Sequence, residues 1–196
     1  DELLVRVHAV AINPCDWKML QLCPKPGTSC GCDLAGVVAA VGLEAERMGF
    51  RVGERVATTV HGANPGDTTT GAFAEYVCCV AAVCWRVPLA MPWTTAAAIG
   101  GCGIGTAGLA LFAPDTMGLK FPGFDTDDHH PWQVDSTHNT AAAAAAAQKG
   151  PYVLVYGGST ASGTMAMQLL NKAGYRPVAT CSPGNFALAT EYGAEA

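Results

Sequence analysis

The sequence predicts an α/β chain of two unlike parts: a domain of short strands that closes, or nearly closes, as a β-barrel, then the opening of a doubly wound parallel sheet. Three observations predict it. Short apolar runs broken by Gly, Pro and Asn fill the first part. A stretch rich in Pro, Gly, Asp, His and Ala interrupts the middle. The run Tyr152 to Tyr156 then meets a Gly-rich turn and an apolar repeat at helical spacing, which is the order strand, turn, helix.

The elements follow in order. Leu3 to Ile12 is rich in Val, Leu and Ile, alternates in part, and ends at the Asn13-Pro14 turn signal, so it reads as a strand. Asp16 to Leu22 fits one short helical stretch. Strands are expected at Leu34 to Val41, Arg55 to Val60 and Ala72 to Val80, with Gly42, Gly53 and Gly62 marking breaks. Thr94 and Thr95 are candidate N-caps for an alanine-rich helix through Ile99, and Gly103 to Phe112 reads as a second helix packed through small residues. The first domain is therefore placed at 1–112, an insertion or linker at 113–150, and the second domain at 151–196. In the linker, Ala141 to Ala147 has high helix propensity but no apolar stripe to bury, and the adjacent His129 and His130 read as solvated. After the Gly-rich turn a helix is expected from Thr164 to Ala173, closed by Gly174. A strand from Pro177 to Cys181 and a helix from Pro183 to Tyr192 follow. That is about one β-α-β-α unit, and a doubly wound sheet needs several more strands. The chain also starts at Asp1 without Met and stops at Ala196 directly after a helical pattern, so it reads as a piece of a longer protein.

Half of the 196 residues are apolar, enough for a core, while 14% are charged and the net charge is −5. This excludes a basic stripe for nucleic acid or an anionic membrane and favours a small uncharged ligand. Neither a spanning apolar segment nor a signal-peptide pattern is present, so a soluble, cytoplasmic chain is expected. The nine cysteines, at 15, 23, 30, 32, 78, 79, 84, 102 and 181, are odd in number and form no C-x-x-C pair. Cys78, Cys79 and Cys84 sit in an apolar run and read as small hydrophobes. Cys30 and Cys32, with His61, have the wrong spacing for structural zinc, and no metal is expected.

The Gly-rich turn carries the chemistry. Free N–H groups at a helix N-terminus attract phosphate, and Gly157, Gly158, Ala161 and Gly163 are small enough to admit a pyrophosphate. Thr160 departs from the fingerprint, standing where a further glycine is usual. Beyond the second strand, Ala179 to Asn185 holds no carboxylate for a ribose 2′-hydroxyl, and its small polar side chains leave room for a 2′-phosphate. NADPH is thus favoured over NADH.

Six motifs in order, namely Ile12-Asn-Pro-Cys-Asp-Trp-Lys-Met19, Gly31-Cys-Asp-Leu-Ala-Gly36, Val52-Gly-Glu-Arg-Val56, Gly71-Ala-Phe-Ala-Glu-Tyr76, Gly105-Thr-Ala-Gly-Leu109 and Val153-Leu-Val-Tyr-Gly-Gly-Ser-Thr-Ala161, resemble the zinc-independent medium-chain dehydrogenase/reductases. Within that superfamily the chain looks most like the fungal trans-acting enoyl reductases that serve polyketide synthases. The resemblance implies a GroES-like catalytic domain, its first strand missing, followed by a truncated Rossmann domain. It implies NADPH-dependent reduction of an enoyl thioester on an acyl carrier protein. Carried over onto matching positions, Cys15, Asp16, Trp17 and Lys18 form a first cofactor-contacting segment, with Lys18 the cation near cofactor and substrate. Gly157 and Gly158 with Ser159, Thr160, Ala161, Ser162 and Gly163 form the pyrophosphate segment, and Ser182, Pro183, Gly184 and Asn185 the 2′-phosphate segment, Gly184 replacing the family's His. The acyl pocket is bordered by Cys102, Gly103, Ile104, Gly105, Thr106, Ala107, Gly108, Leu109 and Ala110, with Thr106 its hydroxyl unless that side chain only caps the helix. Positions that match the Cys and His zinc ligands of zinc-dependent relatives are Asn13 and Cys32, so that metal site is expected to be absent. Two other readings stay open: a quinone or enone reductase of the same superfamily, and a catalytically dead truncated relative.

Overall fold

The computed structural model describes residues 1–22, 25–121 and 150–195. It divides into two compact units, Asp1–Cys102 and Gly103–Ala196. The expected domain limit at 112 thus falls at the end of a helix that begins at the division. The expected linker's polyalanine run and His129 and His130 lie outside the described residues, as does Cys23.

The first unit is built on β1 (Glu2–Ala11), α1 (Pro14–Leu22), β2 (Asp33–Val41), α2 (Leu43–Arg47), β3 (Arg55–Thr59), β4 (Tyr76–Val80), β5 (Trp85–Arg86) and α3 (Trp93–Ala98). Its strands form an antiparallel sheet in the order β4-β1-β2-β3-β5. β1 carries two register irregularities, between Leu4 and Val5 and between Val7 and Ala9, which explains why its alternation was only partial in sequence. The central strand β2 is buried on both faces over its first four residues, Asp33 to Gly36. Leu34 and Val38 join Leu3, Val5, Val56, Val77 and Cys79 in one core. Ala35 meets Ala57, Ala96 and Ala97 in a second, where small side chains let α3 lie close to the sheet. Trp93 at the start of α3 stacks on His8, with ring centroids 4.8 Å apart, and has the Arg55 guanidinium 3.8 Å from its ring.

Several boundaries differ from the expectation. α1 starts at Pro14, because proline's missing N–H costs nothing in a first turn. β4 starts at Tyr76 rather than Ala72: the N–H groups of Ala72 and Phe73 bond the Gly31 and Cys30 carbonyls, outside the sheet. Thr94 and Thr95 lie inside α3, whose N-cap is Pro92 with no side-chain hydrogen bond. Cys79 and Cys84 are buried as expected of small hydrophobes, whereas Cys78 faces out because β4 alternates.

The second unit contains α4 (Cys102–Phe112, whose first residue belongs to the first unit), β6 (Tyr152–Tyr156), α5 (Ala161–Lys172), β7 (Arg176–Thr180) and α6 (Phe186–Glu191). β6 and β7 pair in parallel, Val153 opposite Pro177 and Val155 opposite Ala179, with α5 as the crossover. Met167 and Leu170 of α5 are fully buried against Val153, Val155 and Leu111. Burying such side chains is worth about 1.5–3 kcal/mol each, so this packing, rather than helix propensity, holds α5 on the strands.

Near the end of the chain Glu195 bridges beside Val178, and its carboxylate takes hydrogen bonds of 2.6 and 2.8 Å from Arg176. Those bonds hold Glu195 below its ordinary value of 4.5. A depressed carboxylate stabilises the fold above its unfolded pKa and stops doing so as pH falls through the folded one. The small gap in thermal midpoint between the wild type and Glu195→Gln is therefore expected to be constant near neutrality and to close below about pH 4.5. A gap that persists in acid would show that the hydrogen bonds, not the charge, matter.

Candidate active site

In the first unit the turn between β1 and α1 organises the site. The Asp16 carboxylate accepts from the Asn13 N–H at 2.7 Å, the reaching-back half of a capping box. Its other oxygen, Oδ1, is buried without a partner. The Asn13 amide then donates to Asp33 Oδ2 at 2.9 Å, and Asp33 Oδ1 accepts from the Cys102 N–H, also at 2.9 Å. Asp33 is 1% exposed. One buried carboxylate therefore ties the α1 turn, the first residue of β2 and the start of α4 together. Sequence reasoning gave Asp33 no role. Its signal was an acid opening an otherwise apolar strand, which burial permits only with hydrogen-bond partners.

The same turn brings three thiols together. Cys15 Sγ lies 3.8 Å from Cys32 Sγ and 3.9 Å from Cys102 Sγ, and all three sulfurs lie within 4.8 Å of one another. Gly101 makes this approach possible, since a Cβ there would sit 2.5 Å from the Thr59 side chain. Thr59 Oγ1 is in turn 3.8 Å from Cys102 Sγ. Burial, and then the Cys32 thiol beside it, push the Cys15 thiol up. Contact with the Cys102 thiol, and then burial, push Cys32 far above the ordinary thiol range.

Of the expected cofactor segment on α1, Cys15 is half-buried, Asp16 buried, and Trp17 and Lys18 exposed. The Lys18 ammonium is 5.7 Å from the Trp17 ring centroid. A groove of about 500 Å³ opens elsewhere on this unit, bordered by Glu2, Thr59, His61, Thr70 and Cys78, and holds none of the expected site residues.

In the second unit, Gly157 takes φ +84° directly after β6, and the N–H groups of Gly157 and Gly158 bond the Thr180 carbonyl at the end of β7. Thr160 caps α5: its Oγ1 accepts from the Gly163 N–H at 3.0 Å and donates to the Gly157 carbonyl at 2.8 Å. Thr160 thus replaces the usual glycine by fastening the turn to the helix. The cap takes the third N–H of the helix and leaves those of Ala161 and Ser162 without intrahelical partners. Those two N–H groups, beside Ser159 and Ser162, fit a pyrophosphate. Ser182 to Asn185 forms a single tight turn at the end of β7, with Asn185 Nδ2 3.4 Å from Ser182 Oγ and no carboxylate among its side chains.

Thr106 lies one full turn inside α4, exposed, and so does not cap it. On the face carrying Gly105, Gly108 and Leu109, a Cβ at either glycine would touch nothing, and Leu109 is 66% exposed. Gly103, Ile104, Ala107 and Ala110 complete this helix, with Ala107 buried. Cys102 alone of the expected substrate segment falls in the first unit.

Residues 1–89 match the alcohol dehydrogenase GroES-like domain. That match lies wholly within the first unit. Over its whole length the chain is 46% identical to the trans-enoyl reductase ccsC of Aspergillus clavatus, of which it covers 48%. The chain spans about half the length of the curated relatives it matches. In fold it is similar to an alcohol dehydrogenase superfamily protein from Novosphingobium aromaticivorans, with TM-score 0.72 and 24% identity over 98% of this chain and 49% of that one. It is also similar to mycobacterial Rv1454c, solved in complex with NADPH, with TM-score 0.65 and 22% identity over 99% of this chain and 49% of that one. The resemblance read from the six motifs, to medium-chain reductases and their trans-enoyl branch, is borne out by these relatives. Among the described residues no helix is long and apolar enough to cross a membrane.

Proposed function

We propose that this chain provides the catalytic-domain and first cofactor-binding segments of an NADPH-dependent enoyl reductase. The enzyme acts in trans on an α,β-unsaturated acyl thioester held on the carrier protein of a polyketide synthase. The observation that carries the reading is the turn at Gly157 to Gly163, whose two free N–H groups open a helix beside a strand end free of carboxylates. Similarity to a trans-enoyl reductase along the whole chain supports the substrate class.

When bound, NADPH supplies a hydride to the β-carbon of the enoyl group. The chain's own residues bind, orient and stabilise. The Ala161 and Ser162 N–H groups hold the pyrophosphate, and Ser182 and Asn185 leave space for the 2′-phosphate. In the first unit the Lys18 ammonium would balance negative charge, and in the second the Thr106 hydroxyl would donate to an acyl oxygen.

Titration of the protein with NADPH and NADH, followed by nicotinamide fluorescence, is expected to show tighter binding of NADPH. Equal affinities would remove the 2′-phosphate assignment. NADPH oxidation is expected to be faster with a carrier-bound crotonyl thioester than with a free quinone, and the reverse order would move the substrate class to quinones. Lys18→Ala is expected to lower kcat/KM by about tenfold or more, the usual scale for losing one charged group at developing charge. An unchanged value would leave Lys18 a solvated surface residue.

A further inference from the structure

We propose that Cys15 and Cys102 are a site of oxidative modification, a thiol pair that a peroxide closes into a reversible disulfide. Their sulfurs lie 3.9 Å apart, in contact but unbonded. A disulfide needs about 2.05 Å, so closure takes an approach of about 2 Å, a matter of side-chain rotation and a small backbone shift. The pair is held in place. Asp33 accepts from the Asn13 amide, two residues before Cys15, and from the Cys102 N–H. One buried carboxylate thus anchors the chain at both cysteines and keeps the sulfurs opposed, which makes the attack of one on the other intramolecular.

Cys32 also lies 3.8 Å from Cys15, yet it is the poorer partner. It is buried, and its carbonyl accepts from the Val60 N–H at 2.8 Å, which holds its backbone at the start of β2. Cys15 and Cys102 are only half-buried, so a small oxidant reaches them. Each stands in the first turn of a helix, where the backbone yields most readily. In the first step the Cys102 sulfur attacks hydrogen peroxide: the O–O bond breaks, an S–O bond forms, and one water leaves a sulfenic acid. In the second the Cys15 sulfur attacks the Cys102 sulfur: the S–S bond forms, the S–O bond breaks, and a second water carries off the remaining thiol proton. Two thiols are oxidised to one disulfide and one peroxide is reduced to two waters. Burial, which pushes the Cys15 thiol up, suits Cys15 to the second step rather than the first. Lys18 stands one turn beyond Cys15 on α1, so drawing Cys15 towards α4 displaces the ammonium. The disulfide stands apart from the reductase reading, whereas its effect on turnover rests on that reading.

The test uses the wild-type protein, fully reduced, treated with hydrogen peroxide, alkylated at its remaining thiols and digested with trypsin for mass spectrometry. Cleavage at Lys18 and Arg86 puts Cys15, Cys32 and Cys102 on separate peptides. The expected product is a peptide pair joined through Cys15 and Cys102, two hydrogens lighter than its parts and released by dithiothreitol. A link from Cys15 to Cys32 in its place overturns the proposal, as does oxygen added to Cys102 with Cys15 still free to alkylate. Cys102→Ser and Cys15→Ser are each expected to lose that link. Cys78→Ser, at an exposed cysteine, is expected to keep it, and its loss there overturns the pairing. NADPH oxidation with the crotonyl thioester is expected to fall about tenfold on closure, the scale set for loss of Lys18, and to recover with dithiothreitol. An oxidised protein as fast as the reduced one overturns the effect on turnover. A reduced protein that turns nothing over counts against the reductase reading and leaves the mapped disulfide standing.

Discussion

Asp33→Ala is expected to lower the thermal midpoint of the first unit by about 10 °C or more, on a loss of about 2–4 kcal/mol. Two hydrogen bonds to a charged acceptor disappear, one from the Asn13 amide and one from the Cys102 N–H, each 2.9 Å long. Asp33 is 1% exposed, so water reaches neither donor without opening the structure. The loss is therefore the desolvation of two orphaned donors as well as the bonds themselves. Asp33→Asn isolates part of this, since its carbonyl can still accept from Cys102 while the second bond requires a rotated Asn13. Calorimetry of both variants is expected to show a clearly smaller shift for Asn than for Ala. Equal shifts would mean that charge, rather than acceptor geometry, sets the stability of the turn. If Asp33→Ala melted like the wild type, the carboxylate would have no structural part in holding the α1 turn and Cys102 to the start of β2.

What the sequence made legible was local. Tyr152 to Tyr156 is a strand at the expected residues, because an uninterrupted apolar run ending at glycine has few other solutions. The helix after the Gly-rich turn was expected from Thr164 and begins at Ala161, its cap being the very threonine that broke the glycine pattern. α2 and β5 went unread: five residues and two residues are too short to show a period. The first site resisted for a different reason. Cys15 meets Cys32 across 17 residues and Cys102 across 87, and Asp33 reaches Cys102 across 69. No spacing rule joins residues that far apart. The cysteine argument weighed Cys30 with Cys32, which are near in sequence, while the sheet brings Cys32 to Cys15 and Cys102.

Gly163→Ala is expected to destabilise the second unit by about 2–4 kcal/mol and to abolish NADPH binding, against the direction that helix propensity alone would give. Gly163 is the third residue of α5, and alanine there gains about 1 kcal/mol of propensity. A Cβ at this position, however, overlaps the Gly157 carbonyl oxygen and lies 3.0 Å from the Gly158 Cα. Both are backbone atoms of the turn, so neither can move aside as a side chain would. Relief requires shifting α5 off the turn, which strains the bond from the Gly163 N–H to Thr160 and displaces the free N–H groups of Ala161 and Ser162. Thr160→Ala gives the scale for the cap alone, about 1 kcal/mol, and keeps the glycine contacts. The expected order of stability is wild type, Thr160→Ala, Gly163→Ala, with NADPH affinity weakened in the second and lost in the third. Chemical denaturation and fluorescence titration of the same samples check both halves. An unimpaired Gly163→Ala would show that the helix can move away from the strand without cost, and that the turn does not need its close approach to hold a nucleotide.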